Sequence, residues 1–171
     1  MSPANSRRHG SIRGAVRPLP DDLTSVRFSV TDFPTYYIYT IQSGNLAALN
    51  HALRPFGIPV MFWRVLAVLQ ESDGHNISYL SGKLAIDRSN LSRIVDQMAR
   101  DGLVERRTPA HDRRNVLVCI TAAGRRKVAE AFPAVLRIVE STLDGFSAQE
   151  RRTLLALLKR MRNNVLQQGG R

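Results

Sequence analysis

Residues 87–121 read DRSNLSRIVDQMARDGLVERRTPAHDRRNVLVCIT, and this stretch decides the fold. Its first part carries apolar residues at positions i, i+3, i+4 and i+7, the spacing of one face of a helix: Leu91, Ile94, Val95 and Met98. Asp87 stands before this face as a helix cap, and Gly102 follows it as a left-handed stop. The pattern therefore predicts an amphipathic helix over 88–100.

The second part of the same stretch predicts a β-hairpin. Strands are expected over 103–108 and 115–120, on either side of the turn Pro109–Arg114. The tip of this turn, Asp112-Arg113-Arg114, contains nothing apolar, so it is a poor packing element. It suits the narrow, electronegative minor groove of DNA, where arginine is favoured. A helix followed by such a hairpin indicates a winged helix-turn-helix, which puts the helix into the major groove.

Helices are predicted on both sides of this stretch. Thr121 caps one of them, Ser147 and Glu150 form the capping box of another, and Ser78 is expected to cap a short one. The predicted helices cover 34–53, 59–71, 78–84, 88–100 and 122–143, and a last one follows Ser147. The fold class is thus mostly α with a small β-hairpin wing (α+β).

Charge is concentrated in two regions of the 171-residue chain, whose formal net charge is +11. Residues 1–20 hold four arginines and no acid, and residues 88–127 hold ten basic against four acidic residues. Clustering of this kind is typical of a protein that binds a polyanion, most often nucleic acid. A merely soluble basic surface is the plainer alternative.

Double-stranded DNA is the expected partner, and the polar residues of the predicted helix and turn are the expected contacts. These DNA-binding candidates are Ser78, Arg88, Ser89, Asn90, Ser92, Arg93, Gln97, Asp112, Arg113 and Arg114. An ordinary solvated helix face would look similar, and RNA binding or nucleoid architecture would also use a basic chain. The discrete wing favours sequence-specific binding to a duplex.

The sequence resembles the MarR (multiple antibiotic resistance regulator) family of bacterial transcription factors. The resemblance rests on three motifs at their spacings, Gly102-Leu103-Val104, Asp112-Arg113-Arg114 and Thr121-Ala-Ala-Gly124. It implies a triangular homodimer whose first and last helices interlock. The corresponding regions are a basic, largely disordered arm (1–30), an N-terminal dimerisation helix (31–57), a DNA-binding lobe (58–121) and C-terminal dimerisation helices (122–171).

Two further sets of residues follow from this reading. The apolar stripe expected to face a second copy is Leu154, Leu158, Met161 and Val165, although an intramolecular core would also use it. Many members of the family bind small aromatic anions, including aryl thioesters, and such an effector would release a repressor from a palindromic operator. The candidate effector residues are Tyr36, Tyr39, His51, Trp63 and Arg64, which could equally be core and interface residues.

Other classes of protein find little support. The four histidines have no carboxylate or cysteine at the spacing of a metal site or catalytic triad, so neither an enzyme nor a cofactor is expected. The single cysteine, Cys119, excludes an intramolecular disulfide framework, and an inert packed thiol is expected there. No apolar run reaches the length of a membrane span, so no membrane partner is expected and the expected location is the cytoplasm. Within DNA-binding proteins, a nucleoid-associated or architectural protein without an effector is the alternative.

Overall fold

The computed structural model describes residues 28–109 and 115–168. Contacts divide the chain into residues 1–38 and residues 39–171. In the described part of the first unit, a short 3-10 helix, Val30–Asp32, begins with a capping box formed by Ser29 and Asp32. Most of the expected basic arm, 1–30, lies outside the described residues.

The helices and strands follow the order that the sequence predicts. The elements are α1 (Pro34–Leu53), a 3-10 helix (Arg54–Phe56), α2 (Val60–Glu71), β1 (His75–Asn76), α3 (Ile77–Leu84), α4 (Arg88–Arg100), β2 (Val104–Arg107), β3 (Leu117–Ile120), α5 (Ala122–Thr142) and α6 (Ala148–Gln168). The mostly helical fold with a small sheet is confirmed, and the bounds of α1 and α4 agree with the prediction.

Short polar side chains determine where several helices begin. Thr121 Oγ1 accepts a hydrogen bond from the Gly124 N–H at 3.0 Å. Ser147 and Glu150 form the reciprocal bonds of a capping box, at 2.8 and 3.3 Å. The expected Ser78 cap is wrong, because the Asn76 side chain accepts the Tyr79 N–H at 2.9 Å and α3 starts at Ile77.

The sheet has three antiparallel strands in the order β1-β3-β2. Val104 pairs with Ile120 and Arg106 with Val118, which closes the predicted hairpin. Both of its strands are shorter than the predicted ranges 103–108 and 115–120. Strand β1 was not predicted, because two residues are too few to show an alternating pattern.

One hydrophobic core joins the helices and the sheet. Leu91, Val95 and Met98 of α4 are fully buried, as the i, i+4, i+7 spacing requires. They pack with α2 and α3 residues such as Leu66 and Leu80. The opposite face of α4 is therefore left to the solvent.

Within residues 28–109 and 115–168, no single helix has the length and hydropathy of a membrane span. The bent pair formed by residues 34–56 and 60–71 passes that test only when both helices are taken together.

Candidate nucleic-acid interface

The start of α4 presents three exposed polar residues, Arg88, Ser89 and Asn90. Asp87 caps it through Oδ1, which accepts the Ser89 N–H at 2.9 Å, the Asn90 N–H at 3.1 Å and the Ser89 hydroxyl at 2.5 Å. The Ser89 side chain first, and then the Asn90 backbone, lower the pKa of Asp87, because both hydrogen bonds favour the ionised carboxylate. The Asp87 carboxylate thus occupies two of the free N–H groups at the positive end of the helix dipole.

Farther along α4, the predicted DNA-binding residues differ in their surroundings. Arg93 is exposed and Ser92 is half-buried. Gln97 accepts a hydrogen bond from Arg100 at 2.6 Å and donates one to Asp101 at 2.9 Å. Its amide is thus engaged at the end of the helix, away from the capped start.

The first strand of the wing contacts α4 through Arg106. Arg106 Nη2 of β2 lies 2.7 Å from Asp96 Oδ1 and 3.4 Å from Ser92 Oγ. The next residue, Arg107, pairs instead with Glu105 of its own strand, which raises the pKa of the Arg107 guanidinium. Asp96 and Arg106 are ten positions apart, so only the fold brings them together.

The wing tip, Asp112, Arg113 and Arg114, lies outside the described residues. Its root is tied to the helix-turn-helix, because Asn76 Nδ2 donates to Asn115 Oδ1 at 3.1 Å. Ser78 is exposed in the first turn of α3. The start of α3 and the wing root are thus linked by a direct hydrogen bond.

A cavity of about 630 Å³ lies between the end of α1, the following 3-10 helix and the second half of α5. Its polar lining residues are His51, Arg137 and Ser141, and its apolar ones are Ala48, Ala52, Pro55, Phe56, Ala134 and Ile138. Arg137 was not predicted, because nothing near it in sequence distinguishes it from an ordinary surface arginine.

Of the five predicted effector residues, the structure brings only His51 into this cavity. Trp63 is 7% exposed and belongs to the hydrophobic core, so it is not available as a cavity wall. Tyr39 is 71% exposed, and Arg64 is half-buried in α2. Tyr36 is an exposed residue of the first unit. The cation at the cavity is Arg137 and not Arg64.

The last helix leaves its apolar residues uncovered within the single chain. No residue of α6 is buried, and Leu158 and Val165 are 41% and 66% exposed. Leu154 and Met161 are half-buried. The second half of α5 adds a further exposed set, Phe132, Leu136 and Val139. Large apolar side chains exposed at successive turns of one helix are typical of an interaction site.

Cys119 is 6% exposed in β3. Burial, and secondarily the charge of Asp73, raise the pKa of its thiol, which disfavours the reactive thiolate. In the described ranges, no three His, Cys, Asp or Glu side chains are placed to hold a metal ion.

A family model described as MarR family matches residues 62–116. The HTH-type transcriptional regulator YdgJ of Bacillus subtilis (strain 168) is 34% identical over 109 residues, which cover 64% of this chain and 66% of YdgJ. The chain thus spans about two thirds of the length of that relative.

Solved structures are similar to a larger part of the chain than the family model matches. A MarR-family transcriptional regulator from Silicibacter pomeroyi is 28% identical with a TM-score of 0.73, covering 80% of this chain and 92% of that chain. CouR from Rhodococcus jostii RHA1, solved bound to p-coumaroyl-CoA, is 26% identical with a TM-score of 0.67, covering 81% and 93%. The chain belongs to the MarR family of transcriptional regulators.

Proposed function

We propose that this protein is a sequence-specific DNA-binding transcriptional regulator. The observation that carries the proposal is the capped, exposed polar start of α4, which stands beside a wing on the same lobe. Arg88, Ser89 and Asn90 extend from this start, and Arg93 follows one turn later. Short polar residues let the helix approach base edges, and the arginines supply bidentate donors for guanine or phosphate.

The charge of the chain supports a polyanionic partner. Its formal net charge is +11, and ten of its basic residues lie in the stretch 88–127, which includes α4 and the wing. Phosphate contacts supply most of the affinity of such proteins, whereas base contacts supply the sequence preference. The wing-tip residues Arg113 and Arg114 are assigned to the minor groove on sequence grounds.

The same proposal includes a homodimer formed through α6 and the exposed part of α5. Their exposed apolar residues would be buried against the same surface of a second copy, as in a two-fold symmetric interface. Two recognition helices related by a two-fold axis match a palindromic operator with half-sites about one helical turn apart.

We further infer that the α1–α5 cavity binds an effector that releases the protein from DNA. Its volume of about 630 Å³ suits a small organic molecule. Phe56 provides an aromatic wall, while Arg137 and His51 provide donors for a carboxylate or a thioester carbonyl. CouR, a relative, is solved with p-coumaroyl-CoA. The ligand class proposed here is therefore an aromatic or aryl-acyl anion.

The position of α5 gives a physical route from this cavity to the wing. Ala134, Arg137 and Ser141 line the cavity, while the first turn of the same helix packs on Leu103, which lies between α4 and β2. A ligand can shift DNA binding only if it binds the DNA-incompetent arrangement more tightly. A single helix that contacts both regions can carry such a preference.

The test of the DNA-binding function is footprinting on genomic fragments, followed by anisotropy with the protected duplex and a scrambled duplex. A short protected palindrome and preference for it of about a thousandfold or more support a regulator. Uniform protection without preference would instead indicate an architectural protein.

The test of the effector is calorimetry against benzoates, hydroxycinnamates and their thioesters, with and without the protected duplex. Reciprocity requires DNA to weaken ligand binding by the factor with which the ligand weakens DNA binding. Arg137→Met should weaken the binding of an active compound at least tenfold, as expected for a lost charge-assisted hydrogen bond. Arg64→Met is the matched control and should leave ligand affinity unchanged. If no compound binds, or DNA has no effect on ligand binding, the effector proposal fails.

A further inference from the structure

Arg151, in the first turn of α6, holds the corner between α5 and α6, which consists of residues 143–147. Its guanidinium donates from Nη1 to Glu140 Oε2 at 2.6 Å, from Nη2 to the Leu143 carbonyl at 3.1 Å and from Nε to the Phe146 carbonyl at 3.2 Å. Leu143 is the C-cap of α5, where a helix leaves its last carbonyls without intrahelical partners. One planar group therefore ties α6 to the end of α5.

Packing inside the chain holds α6 only weakly. No residue of this helix is buried, and none belongs to the hydrophobic core of the described residues. Helix α5, in contrast, is anchored in the DNA-binding lobe, because Gly124 and Val128 in its first two turns are buried. The direction of α6 relative to the lobe therefore depends on the corner.

We propose that Arg151 is a positioning residue, which sets the angle between α5 and α6 and through it the separation of the two recognition helices in the dimer. This inference rests on the proposed function, in which the exposed residues of both helices form one interface. Phe132 and Leu136 of α5 and Leu158 of α6 are all exposed. They can face the same second copy only if the angle between the helices is fixed.

A small change of this angle becomes a large displacement at the far end of the helix. The 21 residues of α6 extend about 30 Å, at about 1.5 Å per residue. A rotation of about 5° at the corner therefore moves the far end by roughly 3 Å, close to the rise of about 3.4 Å per base pair. The angle at the corner thus decides which half-site separation the dimer fits.

The bonds of Arg151 contribute to geometry more than to stability. The Arg151 and Glu140 side chains are 35% and 54% exposed, and an ion pair in such surroundings adds little to the free energy of folding. The capping box of Ser147 and Glu150 does not involve the Arg151 side chain, so it keeps the start of α6 helical. Loss of the Arg151 bonds should therefore leave both helices intact and free the angle between them.

The experiment compares the protected duplex with two altered duplexes, in which one base pair is inserted between the half-sites or removed from between them. Anisotropy measures the affinity of full-length wild type, Arg151→Met and Arg151→Lys for each duplex. We expect wild type to prefer the natural spacing by about tenfold or more, and Arg151→Met to prefer it by about threefold or less. Arg151→Lys should also lose most of the preference, because one compact ammonium replaces a fork of donors.

Arg152→Met is the matched control. It removes the same charge one position away, but among the described residues only Gln149, in the same helix, accepts a hydrogen bond from Arg152, at 2.7 Å. This variant should keep the spacing preference of wild type. Ultracentrifugation and circular dichroism should find every variant a folded dimer.

Several results would overturn the inference. Arg151→Met could keep the spacing preference of wild type, or it could lose affinity equally for all three duplexes, which would make Arg151 a phosphate contact. A full preference in Arg151→Lys would show that charge alone suffices, and an unfolded or monomeric variant would make Arg151 a stability residue. A wild type that selects the protected duplex over a scrambled one but tolerates every spacing overturns this inference alone. A wild type that does not select the protected duplex overturns the proposed function as well, so the two failures are distinguishable.

Discussion

Gly124 lies where the first turn of α5 packs against α2, β3 and the connection between α4 and β2. A Cβ placed on Gly124 would lie 2.2 Å from the Leu103 carbonyl oxygen, 2.8 Å from Ile120 Cγ1 and 3.1 Å from Leu66 Cδ2. The Leu103 oxygen cannot move freely, because it accepts the Thr121 N–H at 3.1 Å and follows the Gly102 carbonyl, to which the Thr121 hydroxyl donates at 2.7 Å. Gly124→Ala must therefore displace backbone at this junction.

The expected cost follows from the contacts that the new methyl group would disturb. Overpacking costs about 2 kcal/mol, and weakening the two hydrogen bonds that Thr121 donates at this junction costs about 1 kcal/mol each. The higher helix propensity of alanine offsets about 1 kcal/mol of this cost. Gly124→Ala should therefore lower the free energy of unfolding by about 3 kcal/mol.

Urea denaturation followed by circular dichroism measures this change, with all variants at one protein concentration because a dimer unfolds in a concentration-dependent way. Gly82→Ala is the control: Gly82 lies in α3, and its Cβ would meet nothing within 4 Å. The control should be more stable than wild type, by up to about 1 kcal/mol. If Gly124→Ala unfolds at the same urea concentration as wild type or at a higher one, the packing argument is refuted.

Three further predictions concern the proposed function, and a fourth concerns the buried thiol of Cys119. Arg93→Ala should lower affinity for the protected duplex by about 1–3 kcal/mol and leave the scrambled duplex less affected, as anisotropy would measure; unchanged affinity removes Arg93 from the interface. Arg113→Ala and Arg114→Ala should weaken binding to all duplexes and lower the salt dependence by about one unit each; a lost sequence preference with an unchanged salt dependence would contradict the wing assignment. Deletion of residues 147–171 should leave no stable DNA-binding protein, and a folded monomer in ultracentrifugation would argue against the dimer. Because the pKa of Cys119 is raised, alkylation of the folded protein at neutral pH should be at least tenfold slower than that of the unfolded chain and should accelerate as pH rises; equal rates would show an accessible thiolate.

The start of a helix could be predicted where the capping residue and its hydrogen-bond partners lie within a few positions of one another in the sequence. Asp87 bonds to Ser89 and Asn90, and Ser147 bonds to Glu150, so each cap is complete within four residues of sequence. The Ser78 prediction was wrong because Asn76, two positions earlier, is an equally good capping residue and is the one that caps α3. Sequence alone gives no reason to choose between them, whereas the pairing of β1 with β3 fixes the backbone at Asn76.

For the candidate effector site, the sequence predicted the types of residue but not most of the individual residues. An aromatic wall, a cation and a histidine were expected, and the cavity has Phe56, Arg137 and His51. The identity of the cation depends on α5 lying against the end of α1, where Thr142 Oγ1 lies 2.9 Å from Asn45 Oδ1. These residues are 97 positions apart, so no local pattern predicts the contact.

The sequence by itself determined the order of the helices, the hairpin between two of them and the polar face of α4. These features follow from apolar spacing, capping and turn residues, all of which act over one or two helical turns. Tertiary structure alone decided that Trp63 is buried in the core, that Arg137 lines the cavity and that Arg106 pairs with Asp96. Each of these outcomes depends on which faces of distant elements pack together, because burial and ion pairing are properties of the assembled core and not of any single segment.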